Sequence, residues 1–541
     1  MSYEAAASGA SLPRDAARES QGPAAKMLKE GGKLSLLTLV SRVLGLVREM
    51  TKASFIGTGA LAEAFTVAFT IPNFMRRLFA EGSVTVAFIP TFSGYLGDKD
   101  EEKTREFLSA TFTVLVLFVT AAIALGMAAT PWIVLLFKSD PAETAVLTRL
   151  MFPFLGLVSV AALLQGILNS IGVFTPSALG PIIFNLCFIL VPTLVGGWTA
   201  NPARAMAVGV IVGGLFQALC QLPAVLRAGF RFGFIGLRRA FRNPGMAKVL
   251  ALIAPTILGM AAYQLNDIVC TAVATGVRAA ASIQYSMRLL ELILGVFAVS
   301  AGTVILPRLS RAAREGDWPV FTESLDKVMR TMILVTLPVA LFSMVEARDL
   351  VTVVYRRGQF GEDSVALTSA TLLFHMLGLS FIALNRVISP AFYARSDAKT
   401  PTWAGMASFL VNIVLALLLA RPMGGPGVAL ALSLASAVNT LLLVLALLRS
   451  GVPGLKGAIR GSGAYFLKIL AFSLAAALPA RLARPALSGL AGSGASPFLA
   501  SLLVLGLESL LFGGLGLALL ALFRDETALG FARGLARRGR R

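Results

Sequence analysis

The sequence predicts an all-α polytopic membrane protein of about fourteen spans. Three observations carry that expectation: the overall apolarity, the recurrence of long apolar runs, and the uneven placement of Lys and Arg. Of 541 residues, 56% are hydrophobic and 14% charged, with a mean hydropathy of +0.79. Soluble domains carry roughly 25% charged residues, so a chain of this length and composition cannot be packed as a soluble globule. Apolar stretches run from residue 33 to residue 523 without an intervening soluble-looking block. A single membrane domain is therefore expected.

Runs long enough to cross about 30 Å of hydrocarbon fall at 33–56, 60–94, 106–137, 146–170, 176–198, 205–226, 247–272, 280–307, 328–347, 366–393, 402–421, 426–448, 463–482 and 497–523. Residues 1–32 are rich in Ala, Ser, Gly, Arg and Glu and read as a disordered, uncleaved cytoplasmic tail without a signal peptide. Lys and Arg concentrate in alternate loops, among them Lys99, Lys103, Arg227, Arg231, Arg238, Arg239, Arg242, Arg308, Arg311, Arg395, Arg449 and Lys456, and in the tail from Arg533 to Arg541. Positive loops stay cytoplasmic, which places both termini inside and accounts for most of the +20 net charge. Nucleic-acid binding is disfavoured on the same ground.

Other chemistries find little support. Cys187, Cys220 and Cys270 sit singly in apolar runs, which suggests neither disulfides nor a zinc site. The only histidine, His375, lies in the apolar stretch TLLFHMLGLS, which leaves no room for a multi-histidine metal centre or a serine hydrolase triad. No P-loop and no dinucleotide fingerprint is present.

The informative charges are those that loops do not explain. Arg42, Arg48, Glu49 and Lys52 lie within the first apolar run, and Glu63, Arg76, Arg77 and Glu81 within the second. A charge at the bilayer centre costs about 2.5–3.5 kcal/mol even on the lenient translocon scale, so these side chains must face water or partners. Gly45 and Glu49 share the helix face of Arg42. The second run is interrupted at Ile71-Pro72-Asn73 and again near Gly82, and broken helices at membrane depth line cavities. Arg76 and Arg77 fit either such a cavity wall or a cytoplasmic helix end with a kink at Pro72. In the eighth run, Arg288 and Glu291 are i and i+3, which fits either a cavity wall or a simple intramembrane salt bridge.

The chain echoes itself. Thr58-Gly59 followed by Pro90 matches Thr275-Gly276 followed by Pro307 at the same separation, and ILNSIGVFTP ending at Pro176 matches FYARSDAKTP ending at Pro401. Offsets of a little over two hundred residues imply two six-helix bundles in parallel repetition with two further spans. The expected organisation is a tail (1–32), an N-terminal lobe (33–230), a C-terminal lobe (231–450), two added helices (451–523) and a basic cytoplasmic tail (524–541).

The run SRVLGLVREMTKASFIGTGALAEAFTVAFTIPNFMRRLFAEGSVTVAFIP, residues 41–90, closely resembles the N-terminal signature of the MurJ (MviN) lipid II flippases, of the multidrug/oligosaccharidyl-lipid/polysaccharide exporter superfamily. YSMRLLE, LGVFAVSAGTVILPRLS and SPAFYARSDAKTP extend the resemblance over about residues 30–450. It implies fourteen spans, two pseudo-symmetric six-helix lobes, a central cavity of alternating access, and a groove for a polyprenyl tail formed by the last two helices. It also implies a bacterial cytoplasmic-membrane transporter rather than an enzyme, moving lipid II outward without a cofactor and functional as a monomer. Association with the cell-wall synthesis machinery belongs to the same expectation. Net direction needs an outside bias, for which membrane potential, a sodium or proton gradient, and consumption of the lipid on the far side are the candidate sources.

Residue by residue, the family's functional arginines fall on Arg42, Arg48, Arg76 and Arg288, with Ser41, Glu49, Glu63, Arg77, Glu81 and Glu291 in supporting or gating positions. Glu63 stands where Asp is common, and Thr70 where Lys can occur. A sodium site suggested for some relatives would have Asp267 and Asn385 as candidate oxygen ligands. The chemistry agrees, because a guanidinium engages pyrophosphate oxygens bidentately and stays ionised in a low-dielectric cavity. Two rivals remain open: an exporter of another lipid-linked glycan or of drug cations, which would favour acids and aromatics, and a polyprenyl-phosphate glycosyltransferase, which would need an acidic pair in a sizeable aqueous loop.

Overall fold

A computed structural model describes residues 23–77, 87–490 and 496–530. Among the described residues the chain is helical with no strand. Glu81, Gly82, the first part of the predicted N-terminal tail and the arginines from Arg533 onward lie outside them.

The first half comprises α1 (Pro23–Ile56), α2 (Ala60–Arg76), α3 (Ile89–Gly97), α4 (Glu101–Leu135), α5 (Pro141–Met151), α6 (Phe154–Ser170), α7 (Thr175–Val195), α8 (Pro202–Leu219) and the short α9 (Leu222–Arg227) and α10 (Leu237–Arg242). The second comprises α11 (Pro244–Thr275), α12 (Ala280–Glu315), α13 (Trp318–Val345), α14 (Ala347–Tyr355), α15 (Glu362–Tyr393), α16 (Lys399–Met423) and α17 (Gly425–Arg449). Two last helices, α18 (Leu455–Leu490) and α19 (Pro497–Leu522), follow. Every predicted apolar run overlaps one of these helices or a consecutive pair. Ten helical segments among the described residues are long and apolar enough to cross a membrane.

Two boundaries differ from the sequence expectation. Helix α1 is described from Pro23 onward, so its first turns overlap the stretch read as a disordered tail; the residues AAKMLKE there are strong helix formers. Pro72 lies inside α2, which continues to Arg76. A proline within a membrane helix is tolerated where neighbours re-satisfy the freed backbone, so Pro72 does not interrupt the helix as the sequence suggested.

Packing follows the rules of helices in lipid, where small residues permit close approach. In the first half, Gly213 and Gly214 of α8 are the sites over which the rings of Phe184 (α7) and Phe154 (α6) lie, and a Cβ at either would collide with its ring. In the second half, Gly378 of α15 lies directly against Ser433 of α17, whose hydroxyl donates to the Phe374 carbonyl at 2.6 Å. Helices α18 and α19 pack on each other and on α13 and α14. Beyond the end of α19, Asp525 fastens this pair: it accepts from Lys468 Nζ at 2.7 Å, Tyr465 Oη at 3.0 Å and Ala528 N–H at 2.9 Å.

Burial alone would raise the Asp525 carboxyl, but the Lys468 ammonium and the N–H and O–H donors outweigh it and hold it below its ordinary value. The stabilisation is therefore complete at neutral pH and is lost as pH falls through the lowered folded-state value. Asp525→Asn is expected to destabilise the α18–α19 pair by about 1–3 kcal/mol at neutral pH and to flatten the acid limb of the melting curve of detergent-purified protein. An unchanged acid limb would contradict this account.

Candidate functional site: a cationic cavity between the two halves

The first-half and second-half helices enclose a cavity of about 730 Å³. Its wall carries five basic side chains, Arg48, Lys52, Arg76, Arg77 and Arg288, against three acidic ones, Glu49, Asp267 and Glu291, a formal excess of two positive charges. Neutral polar groups complete it, including Asn73, Gln165, Asn169, Asn185, Gln217 and Gln284.

Each cation is held by specific partners. Arg48 Nη2 donates to Glu49 Oε1 at 2.8 Å and Nη1 to Asn185 Oδ1 at 3.2 Å, while its guanidinium lies 5.7 Å from the Phe188 ring centre. Lys52 Nζ bonds the other Glu49 oxygen at 2.7 Å, lies 3.3 Å from Gln284 Oε1, and sits 4.6 Å from the Tyr285 ring centre. Asn185 in turn donates to the Ser41 carbonyl at 3.2 Å, so Ser41 takes part through its backbone. Arg76 Nε donates to Asn73 at 2.9 Å. Arg77 bonds Gln264 at 3.2 Å and lies 3.6 Å from Asp267. Arg288 meets Glu291 at 3.2 Å, yet its buried Nε has no hydrogen-bond partner among the described residues.

Helices α1 and α12 run antiparallel here, and their small residues make room for each other's arginines. A Cβ on Gly45 would fall on the Arg288 guanidinium, and one on Gly295 would fall on that of Arg42. Arg288 thus reaches the cavity across Gly45. Arg42 is directed instead at Gly295, one turn away from the lining residues, which separates it from the group with which the sequence placed it.

Glu63 lies elsewhere. It is buried, and its two carboxylate oxygens accept from the N–H groups of Ala280 at 3.1 Å and Ala281 at 2.8 Å. A carboxylate at a helix N-terminus satisfies otherwise unpaired donors and complements the helix dipole, so Glu63 of α2 clamps the start of α12. The surrounding corner is closed by further bonds between the halves: Tyr285 Oη to the Gly57 carbonyl at 3.1 Å, Gln359 N–H to the Ser54 carbonyl at 2.8 Å, and Thr58 Oγ1 with Ser364 Oγ at 2.8 Å. Gly57 has φ +57° and Gly358 φ +55°, and a Cβ on either would strike the opposing backbone. The cavity is therefore sealed at the α1–α2 turn and extends towards Arg76 and Arg77 at the other end of α2.

Asp267 and Asn385 have different surroundings. Asp267 lines the cavity opposite Arg77, whereas Asn385 is engaged by α17, donating to the Ser436 carbonyl at 3.1 Å and accepting from Thr440 at 2.9 Å. The sequence reading did not single out Asn185, Gln284 or the Gly45–Gly295 exchange. The amides were visible as isolated polar residues in apolar runs; the glycine pairing is a tertiary fact with no local signal.

A family model described as "Lipid II flippase MurJ" matches residues 52–487. The chain belongs to the lipid II flippase MurJ family. A probable lipid II flippase MurJ of Treponema pallidum is 44% identical over 511 residues, covering 93% of this chain and 97% of the relative. One from Vibrio cholerae is 34% identical, covering 89% and 97%. A solved structure, "Lipid II flippase MurJ, inward closed conformation", superposes with a TM-score of 0.71 at 25% identity, covering 91% of this chain and 99% of that one. An inward-facing multidrug resistance MATE family transporter shares the fold, with a TM-score of 0.61 at 13% identity.

The atoms nearest a Gly45 Cβ are the far end of a flexible side chain. Gly45→Leu is expected to leave insertion and melting temperature close to those of the parent while driving the Arg288 guanidinium off its seat, and to lower the flipping rate at least about ten-fold, equivalent to 1.4 kcal/mol in the barrier, with loss of growth support in flippase-depleted cells. Full growth support by a stably folded Gly45→Leu protein would show that the Arg288 position is not needed.

Proposed function

We propose that this chain is a lipid II flippase of the bacterial cytoplasmic membrane, carrying the undecaprenyl-pyrophosphate-linked precursor from the inner to the outer leaflet by alternating access. The observation that carries this reading is the excess of guanidinium groups on the cavity wall, with the Arg288 Nε left without a partner among the described residues. Pyrophosphate oxygens satisfy such donors in pairs, and the interaction is strong where water is excluded. Arg48 and Arg288 form the centre of the clamp, with Arg76 and Arg77 at its mouth. Arg42, seated against Gly295, positions α1 on α12. Glu49 and Glu291 hold the arginines and limit their uncompensated charge in the empty state. A drug-cation pocket would call for the opposite balance of charge.

The basic loops support a topology with both termini and the Arg76–Arg77 end of the cavity on the cytoplasmic side. The α1–α2 corner then faces the periplasm, and its closed bonds correspond to an inward state. Residues 33–230 and 231–450 act as the two lobes, and α18 with α19 as the wall of a lipid-tail groove. The chain works as a monomer in the bilayer beside the cell-wall synthesis machinery. No bond is made or broken, so direction needs an outside bias. An inside-negative potential favours outward movement of an anionic headgroup by about 2.3 kcal/mol per charge per 100 mV.

The deciding experiment is outer-leaflet accessibility of lipid II in bacteria depleted of their own flippase, comparing the intact chain, Arg48→Ala and an empty vector. Restoration by the intact chain and loss of most of that accessibility, on the order of ten-fold, with stably inserted Arg48→Ala supports the reading. Vector-level accessibility with normally inserted intact chain would move the proposal to another lipid-linked glycan.

Alternation has its own test. Glu63→Gln removes the charge from the α12 clamp while keeping its shape. With a cysteine at Ser364, labelling by a membrane-impermeant thiol reagent from the periplasm is expected to be several-fold faster in the Glu63→Gln background. Equal labelling would mean that Glu63 does not hold the corner.

A further inference from the structure

Away from the arginine cavity, α13, α14, α18 and α19 enclose a second set of charges. Glu346 at the junction of α13 and α14, Asp349 on α14 and Glu508 on α19 each bring a carboxylate oxygen within 4.8 Å of the others. One guanidinium serves all three: Arg484 Nη1 lies 2.6 Å from Glu346 and 3.4 Å from Glu508, and Nη2 pairs with Asp349. Ser501 donates to the remaining Asp349 oxygen at 2.8 Å. The Glu346 and Glu508 side chains are 1% and 0% exposed, whereas Arg484 is 26% exposed. The guanidinium therefore forms the outer face of an enclosed acidic group.

Glu508 is the least expected member. Val504, Glu508 and Phe512 are the buried residues of α19, spaced four apart on the stripe that packs inward. An apolar side chain would serve packing there better than a carboxylate. Phe512 packs tilted against Phe342 of α13 with ring centres 5.2 Å apart, and Leu341, Ala476, Ala477 and Ala480 complete an apolar surround. Glu508 Oε1 is buried and has no hydrogen-bond partner among the described residues.

The charged groups facing Glu508 are Glu346 and Asp349 from the α13–α14 side and Arg484 from α18. The nearby Arg348 and Arg356 are taken by Glu362. Three ionised carboxylates against one guanidinium would leave two uncompensated negative charges in a buried, water-poor interior, which such an environment does not sustain. An alkali ion needs several free oxygens, and here the Arg484 and Ser501 contacts occupy most of them. A single unpartnered carboxylate oxygen is sufficient for a proton.

We propose that Glu508, shared with Glu346, is a membrane-embedded proton-binding site separate from the arginine cavity. The proton comes from water reaching the Arg484 face, is held on Glu508 Oε1 and donates to the Glu346 carboxylate; no other bond changes. Helix α14 continues from this site to the segment whose Gln359 N–H closes on Ser54, so the site adjoins the element that seals the corner. The inference does not depend on the identity of the transported lipid.

Infrared difference spectra of the full chain in lipid nanodiscs, recorded against pH, test it directly. The expected result is a carboxylic C=O band from one buried group that titrates as a single proton, shifts in deuterium oxide, disappears in Glu508→Gln and moves in Glu346→Gln. If Glu508→Gln fails to insert, Glu508→Asp keeps a carboxyl but displaces it, and the band should move. Absence of a titrating band overturns the proposal. So does a band indifferent to both substitutions, or one that is abolished at fixed pH when choline chloride is replaced by sodium chloride, which would indicate an alkali-ion site.

Discussion

Ionised guanidinium groups in a low-dielectric interior must be surrounded before they can be useful, and much of this structure meets that requirement. Arg48 illustrates how. Its charge is met by Glu49, its directional donors by Asn185, and its face by the rings of Phe184 and Phe188. Glu49 is shared with Lys52, so a single carboxylate compensates two cations and the wall keeps a positive excess. A fully neutralised wall would be more stable empty and would have less to offer an anion. A fully uncompensated one would not insert, given a cost of about 2.5–3.5 kcal/mol per unpaired charge at the bilayer centre.

That arrangement constrains the helices that carry it. Two arginine-bearing helices can lie side by side only if each guanidinium has a place to go, and α1 and α12 solve this by opposing Arg42 to Gly295 and Arg288 to Gly45. The pairing also fixes their antiparallel register, because further along the same contact Lys52 meets Gln284 and Tyr285 meets Gly57. Register in turn sets Glu63 opposite the first N–H groups of α12. The cavity and the closed corner are therefore consequences of one helix contact.

Much of this was legible in the sequence, and the reasons differ by residue. Helices and basic loops follow from composition and periodicity alone. Arg48, Arg76, Arg77 and Arg288 stood out because charges in apolar runs are expensive, and the structure brings all four to one wall. Arg42 stood out for the same reason, but one-dimensional spacing could not say that its side chain crosses to Gly295. Glu63 was recognisable as a buried acid; its partners are backbone N–H groups more than two hundred residues away, which no side-chain pattern announces. Pro72 looked like a break because local rules for proline ignore the neighbours that can satisfy a freed carbonyl.

The closed corner uses chemistry suited to reversal. Its bonds join a carboxylate to backbone N–H groups, a tyrosine hydroxyl to a carbonyl, an amide N–H to a carbonyl, and a hydroxyl to a hydroxyl. Every one of these groups can be taken over by water if the corner opens. A buried Arg–Glu pair at the same place would separate two full charges, and breaking such a pair costs about 3–5 kcal/mol when one partner is left uncompensated. Neutral bonds contribute about 0.5–1.5 kcal/mol each, which holds the corner shut through their number while leaving every step of its opening small. The only full charge in the set is Glu63, and it faces a helix dipole instead of a cation. Charge pairing lines the cavity, where its rearrangement can be driven by an arriving anion, and is absent from these corner bonds, which must give way without one.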